Sequence, residues 1–443
     1  MTAQETTSPE STPPEPDETA LLARDLIRFD TQNWGEGKSN GEAEAAEFVA
    51  EHLRALGLEP VFVDAERGRR SVLARVAGER SGGDALVVHG HLDVVPAMAE
   101  AWSVDPFAGE IRDGMLWGRG AVDMKNMDAM ILTAVGDILG SGRKPARDLV
   151  LAFFSDEEDG GRRGSQHVVR ERPDLFAGAT EAISEVGGYS VDVGGRRAYL
   201  VQTGEKALMW LKLTAHGRAG HGSQVNRENA ITRLAEAVAA IGREEWPIHL
   251  TDATRALLDA VADILGTRAV GMGPEELAIA TGTASRFISA SLRSTANPTM
   301  LGGGYKANVI PDTASASIDV RTIPGHEEAV IARIRDLVGA DVDVEITHGD
   351  IGLEQPFEGS LVDAMIAELG RADPEAAVLP YLLPAGTDNK ALSTLGIRGY
   401  GFAPLRLPAD LDFPALFHGV DERVPLDALV FGRQVLRELL VRY

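Results

Sequence analysis

Residues 85–96 read ALVVHGHLDVVP, an apolar run that turns polar at Gly90–Asp93. A buried strand that delivers polar side chains at its C-terminal end is how open α/β sheets build active sites. Two further segments repeat the pattern. DLVLAFFSDEE (148–158) is an apolar run ending in acid, and EAISEVGG (181–188) does the same more weakly. Between and around them the apolar spacing is helical: ALLARDLIRFDT (20–31), GEAEAAEFVAEHLRALG (41–57) and DMKNMDAMILTAVGDILGSG (123–142). PVFVDA (60–65) and SVLARVAG (71–78) complete the strand set. Strand–helix alternation over 19–203 predicts a doubly wound α/β unit with helices on both faces.

The character changes near Gly204. EKALMWLKLTAHG (205–217) alternates like a half-exposed strand, and NAITRLAEAVAAIG (229–242) is an amphipathic helix. SRFISASLRST (285–295) and TASASIDVRTIPG (313–325) are expected as strands, EEAVIARIRDLVG (327–339) as a helix and VDVEITHGD (342–350) as a strand. A β-α-β-β-α-β order predicts a ferredoxin-like α+β unit over 204–350. Residues 248–280 read as an irregular insertion within it. From 351 to 443 the α/β alternation returns, so the smaller unit is expected to be inserted into the larger.

The 443 residues carry 67 acidic and 43 basic side chains, a net charge of −24. That balance argues against nucleic-acid and anionic-membrane partners, which need a basic face. There is no cysteine, so disulfides, thiolate metal sites and cysteine nucleophiles are excluded, and any metal must be held by His, Asp and Glu. Residues 1–18 are rich in Ser, Thr, Pro and Glu and read as a disordered lead-in, without the basic and apolar regions of a signal peptide. With no long apolar run either, the expected location is the cytoplasm.

Five segments put His or acid where a strand or helix pattern breaks: HGHLDVVP (89–96), GRGAVDMK (118–125), SDEEDGG (155–161), ISEVGG (183–188) and FHGVDERVP (417–425). A dinuclear zinc site needs a few imidazoles and several carboxylates, one of them bridging. These segments supply His91, Asp123, Glu158, Glu185 and His418, and leave Asp93 and Glu157 for orienting and acid–base roles. Taken singly, two adjacent glutamates are a solvated turn and an Asp in a glycine-rich loop is a turn former. Their joint occurrence, each at the end of an element, points to a metal centre.

In that order the segments resemble the M20 metallopeptidase/aminoacylase family, from residue 19 to the C-terminus. AWSVDPFAGEIRDGMLWGRGAVDMK (101–125) is most similar to its carboxypeptidase S-like branch. The resemblance implies a zinc-peptidase-like catalytic domain with a central mixed sheet and an inserted lid and dimerisation domain. It implies two Zn2+ ions, with Co2+ or Mn2+ as alternatives. His91 and Glu185 would bind one ion, Glu158 and His418 the other, and Asp123 would bridge them. Asp93 would accept the second imidazole N–H of His91, and Glu157 would be the general base. HGRAGHGS (216–223) would supply His221 to the active site of the partner subunit of a homodimer, as an oxyanion donor. His216 reads as structural.

NVIPDTASASIDVR (308–321) would place Asn308 and Arg321 across a hairpin to bind the substrate's carboxylate and carbonyl. PAGTDNK (384–390) would add Gly386 and the backbone N–H and hydroxyl of Thr387; Asp388 reads equally well as a turn cap. The implied reaction is hydrolysis of a peptide bond beside a free carboxylate, of carboxypeptidase or dipeptidase type. N-acyl-amino-acid deacylation by the same residues is the alternative. A non-catalytic scaffold fits less well, since base and ligands are all present, and there is no GxSxG elbow for a serine hydrolase.

Overall fold

The computed structural model describes residues 15–80 and 82–443. Most of the expected disordered lead-in, residues 1–14, lies outside that range. Asp17 caps the first helix, Glu18–Ile27, by accepting the Ala20 N–H at 3.0 Å.

The larger unit is a ten-stranded mixed sheet. Its centre is a block of four parallel strands in the order Arg398–Gly401, Ala179–Ser184, Ala85–His91 and Leu149–Phe154. Antiparallel strands Arg69–Val76 and Val61–Glu66 extend one side. On the other side Arg196–Glu205 pairs with Tyr189–Val193, Leu353–Glu354 and Ala377–Leu383. The central strands are largely apolar because both faces are covered; the buried polar exceptions within them have partners, Glu181 with Arg147 and Arg398 and His89 with Asn389. Leu86, Val88, Leu149, Leu151 and Phe153 join one core with the helices Glu18–Ile27, Lys125–Gly140 and Leu426–Arg442. Ala85, Val87, Val150, Ala152 and Phe154 join another with Val168, Val169, Ala391 and Leu392 on the opposite face. The period-2 alternation of a strand thus serves two helical layers at once.

The smaller unit is a four-stranded antiparallel sheet in the order Thr295–Gly303, Thr313–Thr322, Ala207–His216, Val342–Gly349. Helices Ala230–Gly242 and Glu327–Val338 cover one face. Leu211, Leu213, Leu234, Ile241, Ile318, Val320 and Ile334 form its separate core. The order is that of a ferredoxin-like sandwich, so the expected fold class holds: α/β with a central mixed sheet and a second, smaller α+β sheet.

Two local expectations fail. SRFISASLRST is not a strand: Ser285–Ser291 is a helix, and the sheet strand begins only at Thr295. Its apolar residues fit period 2 and period 4 equally, and tertiary packing selects period 4, with Ala284, Ile288 and Leu292 all fully buried. The segment 248–280 is not irregular. It forms helices Asp252–Leu265 and Pro274–Ile279, and Leu257, Leu258, Val261 and Leu265 sit in the core of the large sheet. Residues 252–291 therefore pack with the larger unit, although they lie between strands of the smaller one. No helix among the described residues is long and apolar enough to cross a membrane.

Truncating Leu257 to Ala removes a fully buried side chain at this junction. It should destabilise the protein by about 2–5 kcal/mol in urea unfolding. A loss below about 1 kcal/mol would contradict the packing of this segment on the large sheet.

Candidate metal centre

Three neighbouring parallel strands, Ala179–Ser184, Ala85–His91 and Leu149–Phe154, end side by side. Parallel neighbours lie about 4.8 Å apart, so residues at or just past their ends converge. These residues are Glu185, His91 and the Glu157–Glu158 turn. Asp123 joins them from the loop before helix Lys125–Gly140, and His418 from the turn after Phe413–Leu416.

The Nε2 of His91 lies 3.1 Å from Asp123 Oδ1, 3.5 Å from Glu185 Oε2 and 4.0 Å from Glu157 Oε2. His418 Nε2 lies 3.2 Å from both Asp123 Oδ2 and Glu158 Oε2. Asp123 therefore turns one oxygen to each imidazole. Donor atoms of His91, Asp123 and Glu185 lie within 4.8 Å of one another, and so do those of Asp123, Glu158 and His418.

Burial makes the cluster electrostatically costly. Desolvation pushes the Glu185 carboxyl up to about 8 and raises Glu157 and Glu158, with neighbouring carboxylates adding to the shift. Burial alone would lower the imidazoles, but the facing acids reverse this. Glu185 and Asp123 hold His91 well above its ordinary range, and Glu158 and Asp123 lift His418 to about 11. The same contacts depress Asp123, against its own desolvation. Glu158 Oε1 is buried with no hydrogen-bond partner. Converging N and O donors, an acid shared between two imidazoles and an orphaned carboxylate oxygen are what two divalent cations would satisfy.

Backbone amides hold the loops in place. Asp93 is fully buried, and its Oδ1 and Oδ2 accept the N–H groups of Glu157 and Glu158 at 3.0 and 3.1 Å. His91 Nδ1 lies 2.9 Å from the Asp93 backbone carbonyl and 3.6 Å from its carboxylate. The expected orienting contact thus comes from the main chain of Asp93, while its side chain pins the glutamate turn.

Two supporting carboxylates, Glu422 and Asp156, and the side chains that pair with them carry no role in the sequence reading. Glu422 accepts the amides of Gly120, Val122 and Asp123 at 3.1, 2.6 and 2.9 Å and pairs with Arg119 at 2.8 Å. Its signal lay within FHGVDERVP, four residues after His418. Asp156 accepts from Arg69 at 2.6 Å, from Asn33 and from the Arg163 amide. Neither Asn33 nor Arg69 carries a sequence signal, because the chain brings them in from distant segments. Asp156, Val186 and His418 have φ of 65°, 53° and 58°, a left-handed conformation uncommon for non-glycine residues and an outlier for the β-branched Val186.

The remaining expected residues divide. Arg321 and Gly386 line the cleft beside Glu157, Glu158 and His418. Arg321 is held by Asp319 through two bonds of 2.8 and 3.1 Å. Thr387 also lines the cleft, but its N–H and hydroxyl both donate to Glu205, at 2.9 and 2.6 Å. They are committed to the protein, contrary to the expected contact with a substrate carboxylate. A Cβ on Gly386 would approach Lys390 Nζ to 2.6 Å, so a side chain there forces Lys390 aside.

His221 and Asn308 lie elsewhere. His221 pairs with Val309, and the Gly222 amide donates to the Asn308 carbonyl at 2.9 Å. Both are exposed, and they lie beyond the Thr313 end of the strand whose other end carries Arg321. Eight residues of strand at about 3.3 Å each put roughly 26 Å between the ends. The expected hairpin between Asn308 and Arg321 is therefore absent: Thr313–Thr322 pairs with Ala207–His216 and Thr295–Gly303 instead.

Comparison with known proteins agrees with this geometry. The sequence model of Peptidase family M20/M25/M40 matches residues 87–442. Aminoacylase-1 of Pongo abelii is 27% identical over 413 residues, covering 89% of each chain. The Dictyostelium discoideum protein named Probable carboxypeptidase S-like 2 is 30% identical over 362 residues, covering 77% of this chain and 68% of its own. An M20 family metallo-carboxypeptidase from Sulfolobus solfataricus shares the fold with a TM-score of 0.75 at 18% identity, over 96% of this chain and 98% of its own. The family match takes in all three central strand ends and both outlying loops of the cluster, and the chain belongs to peptidase family M20/M25/M40 of metal-dependent hydrolases.

Proposed function

We propose that this protein hydrolyses an amide bond whose amine side carries a free carboxylate, as a carboxypeptidase or dipeptidase using two divalent metal ions. The observation that carries the proposal is Asp123, whose two oxygens face His91 on one side and His418 on the other. His91, Asp123 and Glu185 would hold one ion, and Asp123, Glu158 and His418 the other. Zinc is the favoured metal because imidazole and carboxylate donors suit it, with cobalt and manganese as alternatives. Such ions supply Lewis acidity towards a carbonyl oxygen and lower the pKa of water.

Glu157 also lies within ligand distance of His91 and Glu158, but the two triads that share Asp123 leave it over, and its carboxylate lines the same cleft. It would take the proton of the attacking water and pass it to the departing nitrogen. Asp93 serves this step by fixing the Glu157 and Glu158 amides, so that adjacent side chains diverge towards different tasks. Arg321 would bind the substrate's carboxylate with the part of its guanidinium that Asp319 leaves over.

His221 and Asn308 would act on the partner subunit's site in a homodimer. Their distance from the cleft within one chain supports this reading. So does the edge strand Thr295–Gly303, which leaves Met300 and Leu301 about 70% exposed. Bare, apolar sheet edges are covered in stable proteins. Deacylation of N-acyl amino acids is the second reading, favoured by the apolar end of the cleft that Phe287 and Phe417 line.

Chelation should abolish turnover of a panel of peptides and N-acyl amino acids, and divalent metal should restore it. Chelator-insensitive turnover would overturn the reading. Glu157→Gln should keep metal content and fold while lowering kcat by roughly 10²–10⁴-fold; an unchanged kcat excludes Glu157 as the base. His221→Ala and Glu157→Ala homodimers should each be inactive, and mixing them after subunit exchange should restore roughly a quarter of the wild-type rate. No recovery on mixing, or a fully active monomer, would defeat the contribution in trans.

A further inference from the structure

The cleft has two unlike ends. On one side of Glu157, Glu158 and His418 lie Lys390, Asp350, Gln166 and Trp210; on the other lie Val186, Phe287, Leu383, Pro384 and Phe417, with Arg321 reaching both. Among the described residues lining the second end, every carboxylate belongs to the metal cluster itself. The apolar surface starts at the reacting groups, because Phe417 directly precedes His418 and Val186 directly follows Glu185.

That wall is braced. The Phe287 and Phe417 rings lie 6.0 Å apart, Phe417 stands edge-on to Phe413 at 5.4 Å, and Phe413 packs on Tyr189 at 5.3 Å. Tyr381 donates its hydroxyl to the Val186 carbonyl, fixing the opposite lip. Phe287 itself comes from helix Ser285–Ser291, in the segment 252–291 that packs on the large sheet. The helix buries Ala284, Ile288 and Leu292 and leaves Phe287 only half-buried, at the cleft. A rigid aromatic surface kept partly open beside a buried acid cluster gains stability when an apolar group covers it.

We propose that Phe287 is a specificity-determining residue, and that with Phe417 it forms a pocket for an apolar, uncharged acyl substituent of the substrate. The inference rests on the amide-hydrolase reading and says which end of the amide goes where. The carboxylate-bearing amine lies towards Arg321 and Lys390, and the acyl group lies against Phe287. A free ammonium on the acyl side would lose its hydration there and find no carboxylate beyond the metal cluster and its base Glu157, so an N-acyl group or an internal apolar residue is preferred, which favours carboxypeptidase or deacylase substrates over free dipeptides. The segment 252–291 thereby has a role: it carries one wall of the substrate site.

The test compares kcat/KM for N-acetyl, N-butanoyl and N-hexanoyl derivatives of one amino acid. A second arm uses N-acetylated dipeptides whose acyl-side residue is Gly, Ala or Leu. In the metal-loaded wild type, kcat/KM should rise by roughly fourfold per buried methylene in at least one arm, and the steeper arm names the source of the acyl group. Phe287→Ala should cut that rise to less than about half while leaving the ratio of rates between two leaving amino acids unchanged. Phe287→Leu, which keeps packing against Phe417, should fall between. A purely structural role would lower all substrates alike. The same slope in the wild type and both variants, or a flat series in the wild type, overturns the pocket while leaving the hydrolase reading intact. No chelator-sensitive turnover of any member overturns that reading and the pocket with it.

Discussion

Four carboxylates, those of Asp123, Glu157, Glu158 and Glu185, are brought together with two imidazoles at the ends of adjacent buried strands. Two like charges 4 Å apart repel by about 4 kcal/mol at an effective dielectric constant of 20. Several such pairs make an uncompensated cluster a heavy load on a fold whose net stability is of order 10 kcal/mol. The imidazoles can offset part of it by taking protons, and their raised pKa values are the mark of that pressure. A pair of divalent cations offsets it better and frees the same nitrogens to act as ligands. Much of the surrounding architecture serves to hold this repulsive arrangement still.

The holding is done by buried acids that receive main-chain amides. Asp93 pins the glutamate turn, Asp156 with Arg69 and Asn33 ties that turn to the neighbouring strand and loop, and Glu422 with Arg119 gathers the loop that carries Asp123. Each is itself expensive to bury; Glu422 is pushed up to about 7 by desolvation even beside an arginine. The exchange is cost at the supporting carboxylates for rigidity at the ligands, which is how a preorganised metal site is built. Left-handed backbone at Asp156, Val186 and His418 lies at the same places, where the chain must bend sharply to aim a side chain.

Much of this was legible in the sequence for a physical reason. Buried parallel strands are mostly apolar, so the polar breaks at His91, at Glu157 and at Glu185 stand out at their ends, and the metal-type residues sit at those breaks. The four-stranded sheet was legible through its alternation, as in Ala207–His216 and Thr313–Thr322. What was not legible depended on tertiary choice. Ala284, Ile288 and Leu292 satisfy strand and helix periods alike, and only the core they enter decides between them. Thr387 could be assigned to a substrate because nothing local reveals Glu205, 182 residues earlier, as its partner. Asn308 and Arg321 look close along the chain, yet a ten-residue strand carries them apart.

The two sheets have separate cores, yet Arg321 from the smaller one lines the cleft of the larger, and the account of everything else at that cleft rests on the metal pair. The most direct measurement is anomalous scattering from a crystal grown with zinc. The account predicts two peaks about 3.5–4 Å apart, one between His91, Asp123 and Glu185 and one between Asp123, Glu158 and His418. A single peak, or two peaks that do not share Asp123, would contradict it.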